Sequence, residues 1–150
     1  MKRVGVFFVL FLFMLLPLSA QSNQLLDQLL DQPEAHFGDV VYMTLVAAKL
    51  LPETATSEEA LQALQQQNWN ITVLPPEAPV PLGEYSYMLM KAFKLRGGIF
   101  YRLFPGPRYA CRELGYMKIV ASDARTWRTV SGEEAVRILG KVMASQEGGP

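Results

Sequence analysis

Histidine and cysteine are almost absent from this chain. His36 and Cys111 are the only ones among 150 residues, and that scarcity removes whole classes of chemistry. A single cysteine forms no internal disulfide, so the core must hold by burial alone. Zinc-type sites built from imidazole and thiolate need more ligands than two. A Ser-His-Asp or Cys-His nucleophile would have to recruit His36, which sits in the stretch Gln32-Pro33-Glu34-Ala35-His36. No cofactor is expected. Paired carboxylates remain for catalysis, but Glu58-Glu59 and Glu133-Glu134 are adjacent in sequence, and adjacent helical residues point about 100° apart. They cannot flank one bond, and they suit the positive end of a helix dipole instead.

Long apolar runs are equally scarce. The one present follows Lys2 and Arg3 and extends from Val4 to Leu16, broken only by Gly5. It is shorter than the roughly 20 residues that cross a bilayer. Pro17 and the small residues of Leu18-Ser19-Ala20 follow, which is the layout of an export signal cut after Ala20. Residues 1–20 are therefore expected to be a signal peptide, and no cysteine stands next to the cut to carry a lipid. Membrane contact is expected only through this segment before cleavage.

Charge of one sign is outnumbered in each half of the remainder. Residues 21–90 hold nine acidic side chains and one base, Lys49, whereas residues 91–150 hold eleven bases and five acids. Such asymmetry fits either a basic face for a partner or two halves that attract each other.

What is plentiful is apolar residues at helical spacing. Leu25, Leu26, Leu29 and Leu30 predict a short amphipathic leading helix within residues 21–36, ended by Pro33. Asp39 is placed to cap a helix from Val40 to Leu51. Thr56 and Glu59 form a capping box ahead of Ala60, Leu61 and Leu64. Residues 68–81 carry Pro75, Pro76, Pro79 and Pro81 and read as an extended connection anchored by Trp69, with strand-like Ile71 to Leu74. Two apolar stripes predict a central helix from Leu82 to Leu95, with Glu84 near its start and Gly97-Gly98 after it. A further helix is expected from Pro107 to Val120, with Cys111 facing inward. Trp127 would plug the loop that follows. Ser131 and Glu134 form a second capping box before Ala135, Ile138, Leu139 and Val142. The class is all-α: a bundle of about five helices over residues 37–147, with a frayed tail at 148–150.

Three helix starts resemble one another: Thr56-Ser-Glu-Glu-Ala-Leu, Pro81-Leu-Gly-Glu-Tyr-Ser and Ser131-Gly-Glu-Glu-Ala-Val. A loop followed by a capped helix opening with Glu, used repeatedly, is similar to the S-layer homology repeats of bacterial envelope proteins. The stretch from Pro81 to Val120 also resembles modules of spirochaete envelope proteins. The resemblance implies a helical repeat fold at the cell envelope. That family uses an Arg in the motif to hold an anionic polysaccharide. The matching positions here are Ser57 or Glu58, Leu82 and Gly132, so only Glu59, Glu84 and Glu134 carry over, as helix caps.

The most unusual segment is Lys91 to Tyr109. Lys91, Lys94, Arg96, Arg102 and Arg108 are interleaved with Phe93, Phe100, Tyr101, Phe104 and Tyr109. Guanidinium groups grip phosphate and carboxylate in bidentate fashion, and aromatic faces stack on sugars or cations. Arg96, Tyr101, Arg102, Arg108 and Tyr109 are the candidate binding residues, set against a reading in which the aromatics are core and the bases their rim. Export and near-neutral total charge speak against nucleic acid. The sequence thus points to an exported, non-catalytic interaction module in the periplasm or cell envelope. Its expected partner is a polysaccharide, peptidoglycan or a protein. A glycan or peptide hydrolase using carboxylates is the alternative.

Overall fold

A computed structural model describes residues 18–147, with side chains from Gln24 onward. The apolar run and basic start at 1–17 and the expected tail at 148–150 lie outside the described residues. Among the described residues there are seven helices: α1 (Leu18–Leu30), α2 (Phe37–Ala47), α3 (Ser57–Gln66), α4 (Leu82–Ala92), α5 (Ile99–Leu103), α6 (Pro107–Tyr116) and α7 (Gly132–Glu147). Among the described residues there is no strand, only isolated bridges between His36 and Pro79 and between Pro81 and Thr129. The chain is all-α, as its periodicity predicts. No described helix is long and apolar enough to cross a membrane.

Three of the helices start from one ring of backbone hydrogen bonds. The Ala35 N–H donates to the Val130 carbonyl (2.8 Å), Val130 to Val80 (3.2 Å) and Val80 to Ala35 (3.0 Å). All three residues are fully buried. Each ring residue lies two positions before a helix: α2, α4 or α7. The first N–H groups of a helix have no partner within it, and here a neighbouring connection supplies one. Phe37 and Gly38 donate to the carbonyls of Ala78 and Pro76, Leu82 and Gly83 to those of Arg128 and Thr126, and Gly132 to that of Gln32. The closeness requires glycine at two of these places. A Cβ on Gly83 would lie 3.0 Å from the Thr126 carbonyl oxygen, and one on Gly132 would overlap the Leu29 carbonyl outright.

This arrangement corrects three capping expectations. Glu84 caps nothing: α4 starts after Pro81 with no side-chain cap, because the Arg128 and Thr126 carbonyls already occupy the available N–H groups. Burial without a cationic partner raises the Glu84 carboxyl above the usual range. The second box is half formed. Ser131 Oγ accepts from the Glu134 N–H (3.2 Å), but the Glu134 carboxylate turns to Arg128. Asp39 lies within α2 and not ahead of it; His36 holds the cap position without a side-chain bond. Thr56 and Glu59 do form the full reciprocal box. In the ring, Pro81 and Ser131 are matched by His36, whereas Thr56 opens a helix away from it.

Helix ends repeat as well. After α2, α4 and α6 come Lys49, Lys94 and Lys118, all left-handed, with φ of 59°, 50° and 59°. Behind each, the next residue (Leu50, Leu95 or Ile119) donates back to Leu45, Met90 or Leu114. This six-residue closure ends α2 and α6 earlier than their apolar pattern suggests. Pro52 is not what stops α2.

The core runs between α4 and its neighbours α2 and α6. Phe37, Leu45, Tyr85, Met88, Leu89 and Leu114 are fully buried. The Tyr85 hydroxyl, deep in this core, donates to the Ala135 carbonyl of α7 (2.8 Å). Leu29 of α1 belongs to the same core. Cys111 is buried too, and burial pushes its thiol above the ordinary value. Trp127, the expected plug, is instead 70% exposed. The backbone of Thr126 and Arg128 is committed to α4, which turns the indole between them outward.

Candidate anion-binding cleft

The basic-aromatic segment divides in two. Gly97-Gly98 lets the chain leave α4 and turn back as α5, which packs on α6. A Cβ on Gly97 would run into the Tyr101 ring, so glycine is needed for that turn to close. Between the end of α4 and α5 lies a cleft of about 580 Å³, lined by Lys91, Leu95, Arg96, Gly97, Tyr101, Arg102 and Pro105. Three of the five candidate residues meet there: Arg96, Tyr101 and Arg102. The sequence reading did not single out Lys91 from the other bases, yet it is the third cation of this cleft.

Arg108 and Tyr109 are not part of it. They belong to α6, on the other side of α5, where the Tyr109 ring stacks on Phe100 (6.2 Å between centroids, 10° between planes) and meets Phe104. Placing them in one site with Arg96 is therefore corrected. The aromatic stacking that the sequence suggests for a ligand is taken up by the protein's own rings.

Tyr101 forms the floor of the cleft and is 8% exposed. Its ring meets Tyr87 edge-on at 6.3 Å, and the Lys91 ammonium sits 5.3 Å from the centre of the Tyr87 ring. Burial, with Tyr87 and Glu113 nearby, pushes the Tyr101 hydroxyl up to about 12. It stays protonated at neutral pH and serves as a hydrogen-bonding group, not a base.

The cations of this region are unpaired. Among the described residues, ion pairs join Arg128 to Glu134 (2.6 Å) and Arg137 to Glu133 (3.6 Å), and the His36 imidazole lies 3.8 and 3.4 Å from the carboxylates of Asp39 and Glu77. None of them links the acidic half of the sequence to the basic half. Lys91, Lys94, Arg96, Arg102 and Arg108 take part in none. No acidic residue lines the cleft. A second cleft of about 630 Å³, between the end of α6 and α7, presents Lys118, Arg137 and Lys141, but its Glu134 is already held by Arg128. In each of five clefts formed by the described residues, no more than one carboxylate lines the wall. Among the described residues no group of three or more His, Cys, Asp or Glu side chains could hold a metal ion.

No family model, curated protein or solved structure matches the chain.

Two further features escape the sequence reading. Ile99, Phe100, Leu103 and Phe104 are 55–66% exposed although their apolarity reads as core. Trp127 stands out with the Arg125 guanidinium 5.5 Å from its ring centre. Neither has a signal in spacing alone, because exposure here is set by which neighbour the backbone of the same segment has to reach.

Proposed function

We propose that the chain is a non-catalytic interaction module of the bacterial cell envelope that binds an anionic polymer through the cleft between α4 and α5. The observation that carries this reading is a cleft with three cations, a protonated tyrosine and no acid. Arg96 and Arg102 would grip phosphate or carboxylate groups, and Lys91 would add a point charge beside them. The partner is a polymer because the cleft is open along one side and shaped by a turn, which suits a chain that passes through. Export through residues 1–20, a place in the periplasm or envelope, and kinship with S-layer homology repeats belong to the same proposal. Two of the three alike helix starts, Pro81 and Ser131, open helices joined in one ring, with His36 there in place of Thr56, and this gives the repeated unit partial support. The departure at the motif's Arg positions moves the anion site away from the helix starts to the α4–α5 turn. A hydrolase working through carboxylates has less support, since no described cleft brings two of them together.

The test is retention on isolated envelope polysaccharide and peptidoglycan. The wild-type protein should be retained and should elute with salt. Arg96→Ala with Arg102→Ala should weaken retention about tenfold or more, since each charged hydrogen bond contributes roughly 1.5–3 kcal/mol. Arg108→Ala should behave as wild type. Equal retention of all three proteins would remove the cleft from consideration.

A further inference from the structure

Helix α5 carries its apolar side chains outward. Seen down its axis, Tyr101 points into the protein and is buried, and Ile99 and Leu103 lie on the opposite side. They are the two most exposed of the set, at 66% and 64%, and Phe104 (62%) and Phe100 (55%) extend the stripe. Four large apolar residues on a turn of six form a contiguous patch, unlike the singly scattered leucines of an ordinary surface. Arg96 and Arg102 line the cleft beside it, and the exposed Arg108 lies on α6 next to Tyr109, whose ring stacks on Phe100. None of the three has an acidic partner among the described residues.

We propose that this knob seats on the surface of an anionic phospholipid bilayer, with Ile99, Phe100, Leu103 and Phe104 in the acyl boundary and the arginines at the headgroup phosphates. The charge around the patch selects this occupant. An apolar tip flanked by three unpaired arginines, against one carboxylate, Glu113, beside Gly98, matches the layering of an anionic leaflet, apolar within and negative at its rim. A second copy of the chain is a poor match. Twofold pairing through α5 would set the same arginines against each other, and six residues fall far short of the roughly 800 Å² per partner of a stable interface. A short element suffices for a lipid surface because the contact need only be reversible. The proposal shares Arg96 and Arg102 with the polymer reading, but the apolar knob carries it independently.

The experiment is co-sedimentation of the exported protein, its N-terminus read by mass spectrometry, with vesicles. One set is phosphatidylcholine alone, the other phosphatidylcholine and phosphatidylglycerol in equal parts. Wild-type protein should sediment with the anionic vesicles only. Ile99→Ser with Leu103→Ser should lower that partition about tenfold or more, given the transfer free energy of two aliphatic side chains. Both residues are exposed, so the melting temperature should not change, and retention on envelope polymer should persist. Arg96→Ala with Arg102→Ala should lower both vesicle and polymer binding, so it is the serine pair that separates the two claims. The membrane claim falls if the serine pair binds vesicles as well as wild type does. It also falls if the well-folded protein ignores anionic vesicles. A concentration-dependent dimer abolished by the serine pair would overturn it in favour of self-association, and loss of polymer retention in that pair would assign the knob to the polymer site.

Discussion

Single side chains in this protein are set by what the backbone around them has already committed. Glu134 has the position of a capping residue, yet its two carboxylate oxygens accept from the Arg128 guanidinium at 2.6 and 2.7 Å. That bidentate bond holds the Glu134 carboxyl below the ordinary glutamate range, with burial opposing and losing. Because the folded-state value is the lower one, the stabilisation is present at neutral pH and fades as pH falls below about 4, the ordinary glutamate range. Glu134→Gln should therefore cost about 1 kcal/mol at neutral pH. In urea titrations the gap to wild type should close as the carboxylate protonates. A gap of the same size at acid pH would mean that charge is not what Arg128 recognises.

Elements end where a left-handed residue lets them, and in three helices that residue is lysine. Lys49 stands at φ 59° with no glycine to ease it. The left-handed conformation costs a residue with a Cβ about 1 kcal/mol, and glycine adopts it freely. Lys49→Gly is expected to raise stability by up to about 1 kcal/mol, read as a higher denaturation midpoint with an unchanged slope. No such gain is expected at Lys141, within α7. The same closure explains why α2 stops at Ala47 while its apolar pattern runs on to Leu51: the chain turns to let Leu50 reach back to Leu45.

Across the whole molecule, the ring at Ala35, Val80 and Val130 ties together the starts of α2, α4 and α7. It draws α1 against the start of α7, where only a hydrogen atom fits between Gly132 and the Leu29 carbonyl. Gly132→Ala should cost about 3 kcal/mol, as overpacking against rigid backbone does, and should expose α1 to proteolysis. Gly140→Ala, in the same helix with nothing within 4 Å of the added Cβ, should instead gain up to about 1 kcal/mol. If both glycines tolerate alanine alike, the docking of α1 on α7 is not what holds the leading helix.

The amino-acid order by itself determined helix content, the central place of α4 and the Thr56–Glu59 box. Each follows from spacings within one stretch of chain: two apolar stripes from Leu82 onward, or a Thr and a Glu three residues apart. It also marked Lys91 to Tyr109 as chemically unusual and named Arg96, Tyr101 and Arg102. Tertiary structure alone decided that these three meet while Arg108 and Tyr109 face elsewhere. Only the fold sent Glu84 to no cap, turned Trp127 outward and left the α5 stripe uncovered. The physical reason is common to all of these. Backbone N–H groups at helix starts, and the faces of aromatic rings, can be satisfied by partners tens of residues away, and a periodicity read along the chain carries no record of which partner arrives first.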